Sequence, residues 1–158
     1  PVLIHAWHKT TGNLPHESRP PQVAELAQRF PDVVFIMAHM GGQWQKGIKA
    51  VLQGRPGGES FGPASFGCAQ GTQGNPSGPP KEATMGLRNL WMDTSGTIVE
   101  LGMIEEAVEK LGAERVVFGS DAPGVDLPVA VGKVLGADVS EEAKELILGE
   151  NMRRLLRL

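Results

Sequence analysis

Two imidazoles and one carboxylate close three apolar runs of this chain. His5 ends Val2-Leu3-Ile4, His39 ends the run from Val33 to Ala38, and Asp121 follows Val116 to Ser120. Neutral imidazole nitrogens and carboxylate oxygens are the donors that suit a borderline divalent ion such as zinc. Such an ion lowers the pKa of a bound water from 15.7 to about 7. A neighbouring imidazole such as His39 can then orient or deprotonate that water, and Asp121 can pass the proton to a leaving group. Each residue also has a blander reading. His5 and His39 could be satisfied polar side chains at strand ends, and Asp121 could cap the loop that Pro123 and Gly124 shape. Recurrence at three equivalent strand ends favours a shared site, because parallel strands buried on both faces deliver their C-terminal ends to one rim.

The elements that must position these residues alternate. A first strand over Val2–Ile4 leads into a loop, then a helix that Ser18 could cap. Pro20 and Pro21 are tolerated in its first turn, and Val23, Leu26, Ala27 and Phe30 share one face before Pro31 ends it. After the second strand, Gly41-Gly42 precedes a helix with Trp44, Ile48, Val51 and Leu52 at helical spacing. Leu90–Asp93 reads as a third strand. Leu101, Ile104, Val108 and Leu111 mark a helix closed by Gly112, and Arg115 to Gly119 a fourth strand. Helices follow over 127–135 and 141–148, with Ser140 as a cap of the second, and a last turn begins at Asn151, read as an N-cap. Arg153, Arg154 and Arg157 make that turn's wet side, Met152, Leu155 and Leu156 its inner one. The order is that of parallel β/α architecture.

Composition narrows the classes. The chain has 158 residues, 41% of them hydrophobic, and a formal charge of -3 from interspersed acids and bases. No basic face points to nucleic acid. No run approaches the roughly 20 apolar residues of a membrane helix, so neither membrane nor nucleic acid is expected as a partner. The single cysteine, Cys68, excludes an internal disulfide and fits a reducing, cytoplasmic setting. One segment breaks the pattern: residues 53–80 hold eight glycines and five prolines but no Leu, Ile, Val or Met. Such a stretch cannot bury a core, and it reads as a disordered insertion rather than a lid or a phosphate loop.

These residues resemble a known family. Pro1 to His5, Ala38-His39-Met40-Gly41-Gly42, Asp93-Thr94-Ser95-Gly96, Phe118 to Pro123 and Ile147 to Leu156 look like the second half of a metal-dependent amidohydrolase-related protein. This branch of the amidohydrolase superfamily also holds aminocarboxymuconate-semialdehyde decarboxylase-like enzymes. The resemblance implies a partial (β/α)8 TIM barrel, strands five to eight, with a divalent metal ion, zinc first, as its cofactor. It implies His5 as the fifth-strand metal ligand, His39 as the sixth-strand histidine on the metal or catalytic water, and Asp121 as the eighth-strand aspartate that binds metal and handles protons. The reaction implied is hydrolysis of a small-molecule substrate by a metal-activated water, with decarboxylation as the alternative chemistry.

The family's first strand carries a His-x-His pair, and none occurs here. A barrel of about 250 residues is also longer than this chain. The expectation is therefore a fragment whose partner is an N-terminal half-barrel; alone it should bind metal weakly and turn over little. Open strand edges also fit a homo-oligomer. A rival reading is a non-catalytic, flavodoxin-like binding module, which strand order would reveal by a reversal. His8, three positions beyond His5, could face substrate or be solvated, with His16 a weaker candidate. Asp93 could contact substrate, brace a ligand or cap its turn. Trp44 is either a rim residue or core.

Overall fold

A computed structural model describes residues 1–53 and 86–158. Four strands, β1 (Val2–Ile4), β2 (Phe35–Met37), β3 (Leu90–Asp93) and β4 (Val116–Val117), form one sheet. All neighbours are parallel and stand in sequence order, with Val2 opposite Phe35, Phe35 opposite Leu90, and Met92 opposite Val116. Among the described residues there is no reversal of order of the kind that makes the crevice of a doubly wound sheet, so the flavodoxin-like alternative loses its topological support. The expected insertion at 53–80 lies outside the described residues except for Gln53.

The apolar runs explain the sheet. Phe35, Ile36 and Met37 are all buried, as are Leu90, Met92, Val116 and Val117, which is how central parallel strands covered on both faces should read. Each such side chain contributes roughly 1.5–3 kcal/mol relative to exposure. Val2 and Leu3 on β1 are exposed. Helices α1 (Pro20–Arg29), α2 (Trp44–Gln53), α3 (Met103–Leu111) and α4 (Leu127–Leu135) connect or follow the strands. Then α5 (Glu141–Glu145) passes through a π turn at Leu146–Glu150 into α6 (Asn151–Leu156). Among the described residues, no helix is long and apolar enough to cross a membrane.

Two expected helix positions shift for one reason. A residue before proline is pushed out of the helical region. Arg19, before Pro20, is therefore extended and serves as the N-cap instead of Ser18, with its N–H donating to Gln22 Oε1 at 2.8 Å. Phe30, before Pro31, leaves the helix and is 48% exposed instead of joining Val23 and Ala27 in the core. Leu101 also fails to pack, because α3 begins only after Gly102. Gly112 and Ser140 cap as expected, the Ser140 hydroxyl accepting from Ala143 N at 3.2 Å.

Asn151 is not an N-cap. It lies in continuous helical backbone, fully buried, and its Nδ2 donates to the carbonyls of Ala113 and Val116, each at 2.7 Å. It fastens the C-terminal helix to the entry of β4. Leu156, expected to face inward, is exposed.

Candidate active site

Parallel pairing places the C-terminal ends of β1, β2 and β3 on one rim, and the rim is where His5, His39 and Asp93 emerge. His5 follows β1 directly. After β2 the chain turns at once: His39 and Met40 take φ values of 57° and 48°. Left-handed backbone costs an ordinary residue about 1–2 kcal/mol, and such strain persists only where surrounding contacts impose it.

Asp93 supplies much of that constraint. It is buried, and its Oδ1 accepts from His39 N at 2.8 Å, from Ser95 N at 3.0 Å and from the Ser95 hydroxyl at 2.6 Å. Ser95 Oγ in turn lies 3.2 Å from His39 N and 2.9 Å from His39 Nδ1. A serine hydroxyl has one proton to donate and two lone pairs to accept with. Since the proton goes to the carboxylate, both contacts with His39 must be donated by the histidine. His39 is thereby assigned as the Nδ1–H tautomer, and its Nε2 carries a lone pair.

That lone pair points at His5. His39 Nε2 and His5 Nδ1 are 2.9 Å apart, with ring centroids 4.7 Å apart at 70°. Trp7 walls the pair, edge-on to His39 at 5.3 Å and nearly parallel to His5 at 6.4 Å. Gly96, at φ 92°, brings bare backbone against the imidazole; a Cβ there would sit 2.9 Å from His39 Nδ1. Ser95, His5, Trp7 and Gly96 together hold the ring.

Asp121 is exposed and at φ 64°, four residues beyond β4. Its main-chain carbonyl accepts from Gly124 N at 2.9 Å and Val125 N at 3.2 Å, closing the turn. Among the described residues, no group of three or more His, Cys, Asp and Glu is arranged to hold a metal ion. The structure thus brings His5 and His39 together and does not add Asp121 to a ready-made three-ligand set.

His8 Nε2 accepts from the ammonium of Lys46, near the start of α2. Burial, then the Lys46 and Arg19 charges, lower the His8 pKa below the ordinary imidazole value. Trp44 is buried and donates from Nε1 to Glu100 Oε2 at 2.9 Å, a core residue with one polar tie. His16 is exposed in the loop before α1.

Three participants were not visible as such in the sequence. Trp7 and Ser95 sit beside expected residues, and only the fold shows what they touch. Lys133 is a buried lysine on the otherwise apolar α4. A lone lysine in step with Ala130, Val134 and Ala137 is the signal that could have exposed it. Burial lowers its pKa, while the Asp93 and Asp121 carboxylates raise it.

The amidohydrolase family model matches residues 1–158, and the chain belongs to that family. No curated protein matches it. Among solved structures it is similar to 5-carboxyvanillate decarboxylase from Sphingomonas paucimobilis, at 23% identity and TM-score 0.52, over 86% of this chain and 37% of that one. A dihydroxybenzoic acid decarboxylase from Polaromonas sp. with bound manganese matches at 19% identity and TM-score 0.54, over 85% of this chain and 37% of that one. An uncharacterized TIM-barrel protein from Bordetella bronchiseptica matches at 18% identity and TM-score 0.64, over 99% of this chain and 45% of that one. The chain therefore spans less than half the length of these proteins, and what it shares with them is a parallel α/β fold of TIM-barrel type.

Proposed function

Starting from membership of the amidohydrolase family, we propose that the rim where His5 and His39 meet is part of a metal-dependent catalytic centre acting on a small-molecule substrate. The observation that carries this reading is the 2.9 Å approach of His39 Nε2 to His5 Nδ1, with the far nitrogen of His39 already committed to Ser95. In this reading the sheet corresponds to strands five to eight of a (β/α)8 barrel. A second half-barrel completes the centre. Its support is the share of the similar structures that the chain covers, together with β1 and β4 each pairing on one side only among the described residues.

The donor set fits a divalent ion. Imidazole suits zinc and other first-row metals, and carboxylate oxygen suits manganese as well; manganese in one similar decarboxylase removes any preference for zinc alone. His5, His39 and Asp121 would hold the ion. When bound, it supplies Lewis acidity and makes water a stronger acid. The chain's own residues do the rest. As a ligand, Nε2 of His39 would fix where the ion and its water sit, Asp93 and Ser95 keep that nitrogen aimed, and Asp121 carries a proton to the leaving group. His8, paired with Lys46, offers the substrate a polar flank, and Asp93 acts on it only through His39.

Hydrolysis is the reaction we assign first, because an ion held beside a proton-carrying carboxylate serves attack by water. Decarboxylation is the second reading, favoured by the identity of two of the similar proteins as decarboxylases. Calorimetric titration with Zn2+ and with Mn2+ tests the site in the 158-residue chain, its His5→Ala, His39→Ala and Asp121→Ala variants, and His16→Ala as control. Affinity should fall at least about tenfold in the first three and stay unchanged in the control. Equal affinity in all five proteins would refute the site. Assaying carbon dioxide release beside ester and amide cleavage in the chain joined to its second half-barrel then separates the two reactions.

A further inference from the structure

Lys133 is a buried lysine with no part in the proposed reaction, yet its head group ends on the turn that carries Ser95. Its exposure is 9%, and its Nζ donates to Thr94 O at 2.6 Å and to Gly96 O at 2.8 Å. Those two carbonyls flank Ser95, the residue whose hydroxyl meets His39 Nδ1 at 2.9 Å. Thr94 and Ser95 are themselves buried, so the turn has little water to fall back on.

We propose that Lys133 is a positioning residue for His39: by gripping the carbonyls on both sides of Ser95, it holds the serine hydroxyl where it keeps the imidazole in its Nδ1–H form. This rests on the reading of His39 as the residue that works at the rim. The chemistry suits a lysine in particular. An ammonium carries three donors and no acceptor, so it can fork across two carbonyls without offering Ser95 a competing acceptor. Charge-assisted bonds of this kind are roughly twice as strong as neutral ones. Burial disfavours the charged form, and the nearby Asp93 and Asp121 carboxylates offset part of that cost. The chain of effect is short: Lys133 fixes the turn, the turn fixes Ser95, and Ser95 donates to Asp93 while accepting from His39.

The test is the imidazole tautomer, read from the 15N shifts of His39 in the metal-free chain at about pH 8.5, well above the ordinary imidazole pKa. Wild type should show His39 as Nδ1–H. Lys133→Met, which keeps the stem and removes the donors, should reduce that preference about tenfold, as expected for losing a charge-assisted anchor. Ser95→Ala should do the same, and the double variant should go no further than Ser95→Ala alone, since both changes act through one hydroxyl. Far-UV and near-UV circular dichroism establish that each variant is folded; if Lys133→Met is not, Lys133→Leu, which also lacks donors, takes its place with the same two outcomes. A folded Lys133 variant with an unchanged His39 tautomer overturns the proposal, and so does a double variant whose loss is the sum of the single ones. Because no metal is present, the result is separate from the metal titration, and either idea can fail while the other stands.

Discussion

Ser95 Oγ lies 2.9 Å from His39 Nδ1 while its own hydrogen bond runs 2.6 Å to Asp93 Oδ1. This one hydroxyl settles which nitrogen of His39 is free. A carboxylate behind a serine behind a histidine makes the rim rigid before any ligand arrives, and rigidity of this kind is what a metal or substrate site needs.

Asp93→Ala should therefore damage more than charge. Three donors lose their acceptor in a buried place, two of them main-chain or side-chain groups of Ser95 and the third the N–H of the left-handed His39. A loss of about 2–4 kcal/mol in urea denaturation is expected, since each stranded donor costs about 1–3 kcal/mol and relaxation recovers part. A loss below about 1 kcal/mol would mean that the turn does not depend on Asp93.

Gly96 and Gly12 form a controlled pair, because both have φ 92° but only Gly96 has a neighbour within reach of a Cβ. Gly12→Ala should cost only the backbone term, about 1–2 kcal/mol. Gly96→Ala should cost more and also move the His39 ring, seen as a change in its NMR shifts. Equal costs for the two variants, with His39 undisturbed, would contradict the close packing described at the rim.

Much of this was legible from the chain itself. Strands appeared as apolar runs bounded by turns, and the two histidines stood at strand ends where parallel pairing made them neighbours. What was hidden depended on contacts between segments distant in sequence. Lys133 is linked to Thr94 only because α4 packs over that turn, and Asn151 reads as a cap until β4 is placed beneath it. The cap at Ser18 and the inward Phe30 fail for a local reason: cap preference and periodicity leave out the effect of proline on the residue before it.

Asn151 offers a stability test away from the rim. Asn151→Ala strands the buried carbonyls of Ala113 and Val116 and should cost about 2–4 kcal/mol. Asn151→Asp should be worse, because an acceptor-only carboxylate would face two carbonyl oxygens. Denaturant midpoints would show this order, and an Asp variant as stable as wild type would refute the assigned bonds.

The pH dependence has a definite sign at His8. Its folded pKa is lowered, by burial first and then by Lys46 and Arg19. The unfolded chain then binds the proton more readily, so the contribution to stability is present above the unfolded value of about 6.5 and is lost as pH falls through the folded pKa. His8→Gln should flatten stability against pH in the acid window below about 6.5. An unchanged slope there would remove His8 as its cause.

Anomalous diffraction from crystals of the 158-residue chain grown with excess Mn2+ addresses the metal centre most directly. The metal-site reading predicts an anomalous peak bonded to His5 and His39, with Asp121 drawn in as a third protein donor and the His39 Nδ1 contact to Ser95 retained. Peaks found only elsewhere, with the His5 and His39 rings still in their 2.9 Å hydrogen-bonded pair, would contradict it.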